Sequence, residues 1–595
     1  MNYVADFETF VPDDKTLDKL DRKKYPNDYL RKEEVETYVW GYGIVEVGKI
    51  AEEDIVLGNS IESFMEHCMT LNNPIIYFHN LKFDGHFILA WAFKNGYIHS
   101  EKKKEKTFNV IISKMNMFYK IELIIKRKKK GYKKITFYDS LKKLPFSVDR
   151  IGSGFKLDHH KMEVPEDFYK IYRSKNHELT ELEKEYIRDD IRVVSQALQI
   201  QFSQGLTKMT NGSDALDEYK AVVSTKQFER WFPVLSFEMN EMIRLAYRGG
   251  YTYASDLFRN KLIAMGLVFD VNSLYPAQMY SKKMPHGEPL FFEGKYVKDD
   301  LFDLHIQEFM CEFKLKENHL PTIQIKGDLG RYSPTDYLHE SKGLTKLHLT
   351  DIDLKLFFDH YDVYNIEWLC GLKFRSNLNM FKTYIDKWTV IKTTNTGAIR
   401  ELAKLMLNAL YGKFATNPDV TGKFPYFTED GLVKLVMKEE EFRDSIYTAV
   451  GVWTTSYGRE VTIRTAQENY HRFAYCDTDS IHIVGDEMPN IEVHPTKLGA
   501  WDLEGKFNWA RFIGAKCYAE EFSSEFEENS GRFKGRSGKE LSVTVAGMTP
   551  PQKKFVTKEN FAEGLILGGK LMPMIVNGGI VLVDRTFELK VRNFG

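Results

Sequence analysis

The spacing of apolar and polar residues predicts a chain that combines strands and helices. An early segment, residues 3–9, alternates with a period of two and predicts a strand with Asp6 and Glu8 on one face. A later segment has helical periodicity and places Tyr186 and Asp190 four positions apart, also on one face. The first 200 or so residues are therefore expected to form an α/β unit.

Other acidic residues come where predicted strands end. The strand over 74–78 leads into a helix with Asp84 at the junction, and the strand over 266–270 ends at Asp270. Two β-favouring runs within 473–483 flank a turn and predict a hairpin.

Residues 396–414 give the clearest helix. At 100° per residue, one face is apolar and the opposite face, within an arc of about 80°, lacks any acid. That second face consists of Arg400, Lys404, Asn408 and Tyr411. Such a stripe suits triphosphate oxygens and a base pair, and Lys392 upstream could add a further cation.

Composition limits these interpretations. With 595 residues the chain can hold about four domain-sized units. Its 83 basic and 84 acidic residues give a net charge of -1, so bulk charge does not indicate a nucleic-acid partner. Basic runs at 101–106 and 126–134 are equally typical of solvated loops.

The five scattered cysteines favour a reducing compartment without disulfides or a zinc ribbon. No signal-like segment and no membrane-length apolar run is found, so a soluble intracellular protein is expected.

The hairpin turn carries Asp477 and Asp479, which can point the same way on extended backbone. Such a pair repels itself and suits a divalent cation, but a lone Asp-x-Asp equally suits a turn whose aspartates cap their own amides. Asp270 in a matching context favours a two-metal phosphoryl-transfer site.

The N-terminal unit repeats this chemistry with acids from three elements. Tyr186 could orient an attacking water, and its spacing favours Asp190 over Asp189. Each signal alone also fits an exposed polar strand face or a core-edge tyrosine. The acids are Asp6, Glu8, Asp84 and Asp190.

A third candidate site follows Asp270. Pro276 fits the first turn of a helix, which leaves the preceding amides free to face an anion such as a triphosphate. Tyr275 then either packs in the core or lies under a nucleotide sugar.

Seven motifs occur in the order seen in family B DNA polymerases, and the chain resembles most the protein-primed polymerases of small Bacillus phages, the phi-29 type. The resemblance covers essentially the whole chain. The motifs are Asp-Phe-Glu-Thr, Phe-His-Asn-Leu-Lys-Phe-Asp-Gly, Tyr-Ile-Arg-Asp-Asp, Tyr-Arg-Gly-Gly, Asp-Val-Asn-Ser-Leu-Tyr-Pro, Lys-Leu-Met-Leu-Asn-Ala-Leu-Tyr-Gly-Lys and Tyr-Cys-Asp-Thr-Asp-Ser.

The resemblance implies an α/β and α+β multidomain protein. A ribonuclease H-like 3'-5' exonuclease domain (1–205) would precede a right-hand polymerase domain (206–595). The polymerase domain would contain a palm (about 206–280 and 450–535), a first insertion (281–380), fingers (381–414), a β-hairpin insertion (415–449) and a thumb (536–595).

The resemblance also implies residue roles, with two Mg²⁺ or Mn²⁺ ions in each active site. Asp6, Glu8, Asp84 and Asp190 would bind the exonuclease metals, with Tyr186 orienting water and Glu163 as a further metal neighbour. Asp270, Asp479 and the Val271 carbonyl would bind the polymerase metals, with Asp477 close by. Tyr275 would be the steric gate, Lys392, Arg400 and Lys404 the triphosphate cations, and Asn408 and Tyr411 the base-pair pocket.

DNA contacts are implied for a further set, in which aromatic stacking would be sequence-tolerant. These are His79, Asn80, Phe83, Phe87, Ser140, Leu141, Phe146 and Lys161 in the exonuclease cleft, Tyr247, Gly249 and Gly250 in the Tyr-Arg-Gly-Gly turn, and Lys516 and Tyr518 at the primer end.

The expected partners are primer/template DNA, deoxynucleoside triphosphates and a priming terminal protein, with the chain as a monomer or a 1:1 heterodimer in the bacterial host cytoplasm. The insertions would encircle DNA and support strand displacement. Two rivals stay open, a nuclease whose C-terminal half only grips DNA and a replication scaffold without activity.

Three features depart from the family pattern. The charged segment 11–36 has no counterpart in the best-known member and is predicted to be a surface excursion. Arg400 stands where relatives often have Lys, and Thr544 where a Lys would add a phosphate contact.

Overall fold

The computed structural model describes residues 1–20, 26–165, 168–326, 332–523 and 541–590. In the N-terminal domain, a mixed sheet is covered by helices. Its strands are β1 (Asn2–Thr9), β2 (Val39–Glu46), β3 (Val56–Gly58), β4 (Ile75–Phe78), β5 (Ile98–His99), β6 (Thr107–Ser113), β7 (Phe118–Arg127) and β8 (Tyr132–Asp139). Its helices are α1 (Asp14–Asp18), α2 (Ile61–Thr70), α3 (Leu81–Lys94), α4 (Val148–Phe155) and α5 (Glu181–Ser203).

Strand β1 is central in this sheet, antiparallel to β2 and parallel to β4. Helix α5 begins with a capping box between Thr180 and Glu183, which fixes where the helix starts. It packs across β1 and β2, where Ile187 fills the space above Gly41 and Gly43. The predicted strand and helix that carry the acids are confirmed.

Seven of the helices that follow form a large apolar core around Trp453 and Tyr219, both fully buried. They are α6 (Asn211–Val223), α7 (Thr225–Trp231), α8 (Phe237–Leu245), α9 (Leu274–Ser281), α11 (Lys382–Thr394), α12 (Gly397–Phe414) and α13 (Thr448–Glu468). Helix α10 (Asp351–His360) packs at the edge of this core, and α14 (Pro550–Lys553) packs elsewhere, against β25 (Ile566–Val576). Helix α12 confirms the clearest helix of the sequence, with Leu402, Met406 and Leu410 buried.

A second, antiparallel sheet lies at the centre of the chain. Its strands are β9 (Thr252–Ala254), β10 (Leu262–Ile263), β11 (Gly266–Val271), β20 (Phe473–Asp477), β21 (Ser480–Val484), β22 (Trp501–Gly514), β23 (Cys517–Phe522) and β24 (Ser542–Val545). They are ordered β24-β23-β22-β11-β21-β20-β9, with β10 on β22. The predicted hairpin is β20–β21, and β11 lies beside it.

The first insertion forms a separate sheet in the order β12-β17-β13-β16. Its strands are β12 (Met284–Glu293), β13 (Leu304–Leu315), β16 (Thr345–Thr350) and β17 (Tyr361–Asn377), and β14 (Gln324–Lys326) pairs with β15 (Tyr332–Tyr337).

The second insertion is the expected hairpin, formed by β18 (Gly422–Phe427) and β19 (Val433–Met437). It does not protrude alone, because β18 pairs with β6 and extends the N-terminal sheet. A Cβ at Gly422 would lie 2.7 Å from the Ile112 carbonyl oxygen, so this close pairing requires glycine.

The last element is a long hairpin in the region predicted to be the thumb, formed by β25 (Ile566–Val576) and β26 (Gly579–Glu588), and we call it the thumb hairpin. The prediction that 11–36 is only a surface excursion is wrong, because Leu20 and Val35 are buried against this hairpin. Among the described residues, no helix is long and apolar enough to cross a membrane.

Candidate active sites

Four acids meet in the N-terminal domain, and we call them the N-terminal acid site. Asp6 and Glu8 lie on β1, Asp84 near the start of α3, and Asp190 on α5. Because β4 runs parallel to β1, the turn after β4 brings the first turn of α3 to the same edge as Glu8. Asp189 instead pairs with Arg192 at 3.2 Å, whereas Asp190 pairs with Lys161 beside the other acids.

Burial and mutual repulsion shape the electrostatics of this site. Burial, reinforced by the charge of Asp190, raises the pKa of Asp6 to about 7. Burial and the neighbouring acids also raise the pKa of Glu8 and of Asp84 well above their usual values. When all of these acids are ionised, the site therefore carries more negative charge than the neighbouring protein groups neutralise.

Lys161 is the cation of the N-terminal acid site. Its Nζ lies 2.6 Å from Asp190 Oδ2 and 3.0 Å from the Tyr186 hydroxyl. The Tyr186 hydroxyl is also 2.7 Å from that of Tyr169, a half-exposed residue that the sequence did not single out. Lys161, Tyr186 and Asp190 line a cavity of about 250 Å³ together with Asp6, Glu8 and His79.

In the described part of the chain, no three His, Cys, Asp or Glu side chains already stand in a metal-binding arrangement. The donor set nevertheless suits a divalent cation. Asp190 Oδ1 is buried without a hydrogen-bond partner, and Asp6, Glu8 and Asp84 repel one another. A cation would satisfy that oxygen and offset the repulsion. Glu163 is exposed, and its metal role stays a prediction.

His79 ties together two residues predicted to hold DNA. Its Nδ1 lies 2.9 Å from Ser140 Oγ and its Nε2 2.8 Å from the Phe146 carbonyl oxygen. A carbonyl only accepts, so Nε2 carries the proton. Burial lowers the pKa of His79, which keeps the ring neutral. By holding Ser140 and Phe146 in place, His79 shapes the cleft.

One carboxylate oxygen holds two backbone amides. The amides of Asn80 and Leu141 both donate to Asp139 Oδ1, at 3.2 and 3.1 Å. The rings of Phe83 and Phe87 are 5.9 Å apart. Phe87 is 2% exposed and packs on Gly579 of the thumb hairpin, so the prediction that its ring contacts DNA is wrong for this structure, in which it is a core residue.

The central acid site consists of Asp270, Asp477 and Asp479. Asp270 on β11 faces Ser480 on β21, and the Val271 amide donates to the Asp479 carbonyl oxygen at 2.7 Å. Asp270, near the end of β11, is thus held beside Asp479, which lies in the turn directly before β21. The Val271 carbonyl as a ligand stays a prediction.

The turn between Asp477 and Asp479 is held tightly. Thr478 has φ +64°, and its amide donates to the Tyr251 carbonyl oxygen at 2.7 Å. A Cβ at Gly250 would lie 2.6 Å from the Thr478 side chain. The Tyr-Arg-Gly-Gly turn needs this glycine to approach the turn that carries Asp477 and Asp479. Gly249 accepts from Arg459 Nη1 at 2.7 Å.

Cations surround the central acid site. Lys516 Nζ lies 2.9 and 2.7 Å from the two Asp477 carboxylate oxygens. Burial, with the charges of Asp477 and Glu504, raises the pKa of Asp479, while Lys404 of α12 opposes that shift. Tyr518 packs on the Tyr475 ring, 4.8 Å away.

The exposed face of α12 is the stripe that the sequence predicted. Lys404 and Asn408 are exposed, and Arg400 contacts Glu401 at 3.1 Å. The Tyr411 ring lies 4.4 Å from that of Tyr275 on α9. Lys392 of α11 also reaches the start of α9.

The Lys392 Nζ is 3.0 Å from Ser273 Oγ, and Ser273 directly precedes α9. Pro276 falls in the first turn of α9, as predicted.

Sequence reasoning missed two acids on β22. Asp502 is the β22 residue opposite Asp270, and Glu504 follows two positions later. Residues opposite each other in antiparallel strands share a face, so Asp502 belongs to the edge of the central acid site. An acid in an alternating strand carries no local signal, and only the register reveals it.

Arg459 was missed as well. It is fully buried, bonds Asp353 at 2.6 Å and donates to the carbonyl oxygen of Arg248 at 2.7 Å. Through these bonds, Arg459 positions the Tyr-Arg-Gly-Gly turn.

The basic runs 101–106 and 126–134 lie next to each other, since the Tyr132 hydroxyl donates to the Lys103 carbonyl oxygen at 3.0 Å.

Two acid sites, each on a sheet, with a cationic helix facing the central one, define a nucleic-acid polymerase with a nuclease-like domain. A family profile described as DNA polymerase type B, organellar and viral, matches residues 65–498. The chain belongs to this family and is a DNA polymerase.

Among relatives, it is 46% identical over 581 residues to the DNA polymerase of Bacillus phage phi29, covering 96% of this chain and 100% of the relative. It is 31% identical over 532 residues to the DNA polymerase of Streptococcus phage Cp-1, covering 87% and 88%. Its structure is similar to phi29 DNA polymerase complexed with primer-template DNA and incoming nucleotides, with TM-score 0.88, 44% identity and coverage of 99% and 100%.

Proposed function

We propose that the chain is a protein-primed DNA polymerase that displaces the non-template strand and proofreads through a 3'-5' exonuclease. The observation that carries this proposal is the backbone pairing that holds Asp270 of β11 beside the turn of Asp479, with Lys404 of α12 close enough to act on the Asp479 carboxyl. The similarity to a phi29 polymerase complexed with primer-template DNA and nucleotides supports DNA and deoxynucleotides as ligands.

In synthesis, the central acid site holds the reacting atoms in line. Asp270 and Asp479 would hold Mg²⁺ or Mn²⁺, which when bound lowers the pKa of the primer 3'-hydroxyl and offsets phosphate charge. Lys392, Arg400 and Lys404 bind the triphosphate and stabilise the departing pyrophosphate. Tyr275, under Tyr411, is placed to exclude a ribose 2'-hydroxyl.

In proofreading, a frayed 3' end enters the cleft that Phe83, Leu141 and Phe146 line. Asp6, Glu8, Asp84 and Asp190 would hold the metal ions there. The Tyr186 hydroxyl, oriented by Lys161 and Tyr169, positions the attacking water.

Protein priming follows from the same chemistry, since a hydroxyl on a terminal protein can replace the primer 3'-hydroxyl. The first insertion forms a separate sheet beside the central one and offers a surface for such a partner. A monomer that forms a 1:1 heterodimer with this protein fits that arrangement. The host cytoplasm is the proposed location.

One assay tests the proposal. A primed circular single strand is extended with labelled deoxynucleotides and Mg²⁺, without clamp or helicase. We expect products many circle lengths long, because synthesis continues through the duplex it has made. Products that stop at one circle length would refute strand displacement.

The nuclease rival is tested with Asp479→Ala on the same template. We expect it to abolish extension while leaving degradation of a single-stranded oligonucleotide unchanged. Extension at the unaltered rate would refute the assigned polymerase site.

A further inference from the structure

A buried polar pair lies behind the central acid site, and the reaction proposed above does not use it. His482 of β21 and Glu520 of β23 are both 2% exposed, and His482 Nδ1 lies 2.6 Å from Glu520 Oε1. A glutamate is rarely buried unless it is paired, and a buried bond of this kind holds two elements at a fixed distance.

The two strands that carry the pair are not neighbours in the central sheet. β23 pairs with β22 and β24, whereas β21 pairs with β20 and β11, so β22 and β11 lie between them in the strand order. Strands three positions apart would be roughly 14 Å apart in a flat sheet, so the sheet has to curl for the bond to form. Side chains therefore set the distance between β23 and the β20–β21 hairpin.

Aromatic rings fill the space between these strands. The rings of Tyr475, Phe512 and Tyr518 surround His482, with centroid distances of 5.3, 5.2 and 5.4 Å. Apolar contact is not directional, so the rings fill this space without fixing one position of β23. The bond between His482 and Glu520 fixes both a distance and a direction.

Strand β23 carries the residues predicted to hold the primer end on the same face as Glu520. Alternation places Tyr518 and Glu520 on one face, and Lys516 in the preceding turn continues the series. The Lys516 Nζ lies 2.7 Å from Asp477 Oδ2. The Tyr518 ring lies 4.8 Å from the Tyr475 ring. All three side chains thus meet the β20–β21 hairpin.

The backbone of Lys516 is held as well. Its φ is +52°, its amide donates to the Tyr475 hydroxyl at 2.9 Å, and its carbonyl oxygen accepts from the Ala546 amide at 3.1 Å. A residue other than glycine keeps this left-handed conformation only where its surroundings impose it. The hairpin therefore holds this arm at two points, Lys516 through Tyr475 and Glu520 through His482.

We propose that the bond between His482 and Glu520 sets the position of Lys516 and Tyr518 against the β20–β21 hairpin, and thereby the affinity for a primer end. His482 and Glu520 are positioning residues, which act through Lys516 and Tyr518. Breaking the bond leaves two buried polar groups unpaired, so β23 resists displacement. The inference rests on the proposed function, since it takes a primer end as the ligand of this arm.

Equilibrium binding tests the pair without catalysis. A fluorescent primer/template is titrated in EDTA, without nucleotide. Glu520→Leu removes the acceptor, whereas Glu520→Gln keeps a side-chain oxygen that accepts from Nδ1. We expect Glu520→Leu to bind the primer/template about tenfold more weakly, and Glu520→Gln to stay within about twofold of the unaltered protein. Equal binding by Glu520→Leu and the unaltered protein would overturn the inference.

Two further measurements control this result. Binding of the unprimed template strand should not change in Glu520→Leu, because the arm acts on the primer end. His482→Phe should weaken primer/template binding as Glu520→Leu does, and His471→Phe, at an exposed position, is its matched control. Equal weakening by His471→Phe, or equal loss for the unprimed strand, would contradict a role at the primer end.

The double variant His482→Phe with Glu520→Leu separates positioning from packing. It replaces both polar groups by apolar side chains of similar size, which restores much of the stability that one change removes. We expect Tm to recover while primer/template binding stays about tenfold weaker, not the roughly hundredfold of two independent losses. Recovery of binding together with Tm would show a purely structural role.

Steady-state kinetics complete the test. In Glu520→Leu, KM for the primer/template should rise about tenfold, while kcat at saturating DNA and KM for deoxynucleotides stay unchanged. A lower kcat with an unchanged KM would indicate loss of folded enzyme and count against positioning. Absence of nucleotide addition in the unaltered protein would refute the proposed function instead, and binding in EDTA would still report on the pair.

Discussion

The two acid sites use the same residue chemistry but balance their charge differently. In the N-terminal acid site, three elements of one domain bring four acids together with Lys161 as the contacting cation. In the central acid site, Asp270 at the end of β11 lies beside the turn of Asp477 and Asp479, and the cations come from other elements, Lys516 from the turn after β22 and Lys404 from α12. The acids of the N-terminal acid site therefore need a bound cation to stay ionised. The acids of the central acid site are stabilised in addition by cationic side chains of neighbouring elements.

This difference follows from the reactions proposed for each. Hydrolysis brings only a strand end and water, so repulsion among buried acids can be relieved only by bound cations. Nucleotide addition brings a triphosphate with its own negative charge, which the acids alone would repel. In the proposed reaction, Lys392, Arg400 and Lys404 on α11 and α12 would offset that charge.

The sharpest way to separate the two sites is Asp270→Asn. We expect synthesis on a primed template to fall by about 10³-fold or more, because a neutral amide cannot hold a cation against Asp479. Exonuclease activity on single-stranded DNA should not change. If both activities fell together, the sites would not be independent.

The reciprocal change, Asp6→Asn, should reduce exonuclease activity by about 10³-fold and leave synthesis intact. In the unaltered protein, exonuclease activity should fall as the pH drops below about 7, since protons then compete with the cation for Asp6. A pH profile of oligonucleotide degradation gives both results.

Asp6 also makes the metal-free fold pH-sensitive. Its pKa rises from 3.8 unfolded to about 7 folded, so its stabilising contribution is full below pH 4 and is lost as the pH rises through 7. Asp6→Asn should flatten the pH dependence of Tm measured in EDTA. An unchanged profile would contradict the electrostatic description.

Lys161→Met tests the one contacting cation of the N-terminal site. We expect a loss of exonuclease activity of about 10- to 100-fold, because Asp190 and Tyr186 lose their shared donor. Lys161 opposes the raised pKa of Asp6, so the pH profile should also move to higher pH. Lys161→Arg keeps the charge and should restore the profile, whereas a purely structural role would leave it in place.

Arg400→Lys should have the smallest effect. Charge at the stripe is kept and shared with Lys404 and Lys392, so KM for deoxynucleotides should change by no more than about threefold. Steady-state kinetics on a primed template measure this, with Lys404→Ala as the more severe comparison. A loss as large as that of Asp270→Asn would contradict shared charge.

Local patterns predicted the elements that carry the chemistry. The stripe of α12 follows from helical periodicity alone, and β1, α5 and the β20–β21 hairpin follow from spacing and turn signals. The family resemblance then supplied roles that spacing could not.

Contacts between distant segments were not predictable from such patterns. Leu20 and Val35 are buried by a hairpin that lies more than 500 residues away in the sequence. The charged residues around Leu20 and Val35 instead indicate a solvent-exposed segment. Asp502 depends on the β22 register, and the Lys516–Asp477 pair on a turn between β22 and β23.

The continuity of β18 with β6 has a mechanical consequence. Besides the shared backbone pairing, Lys114 contacts Asp419 at 2.7 Å and the Phe93 and Phe427 rings stack 5.3 Å apart. The hairpin insertion and the N-terminal domain thus share one sheet and are expected to move together. In the proofreading proposed above, a mispaired 3' end would then travel between the two acid sites by melting and bending of the nucleic acid, without a change in the relative position of these two parts of the protein.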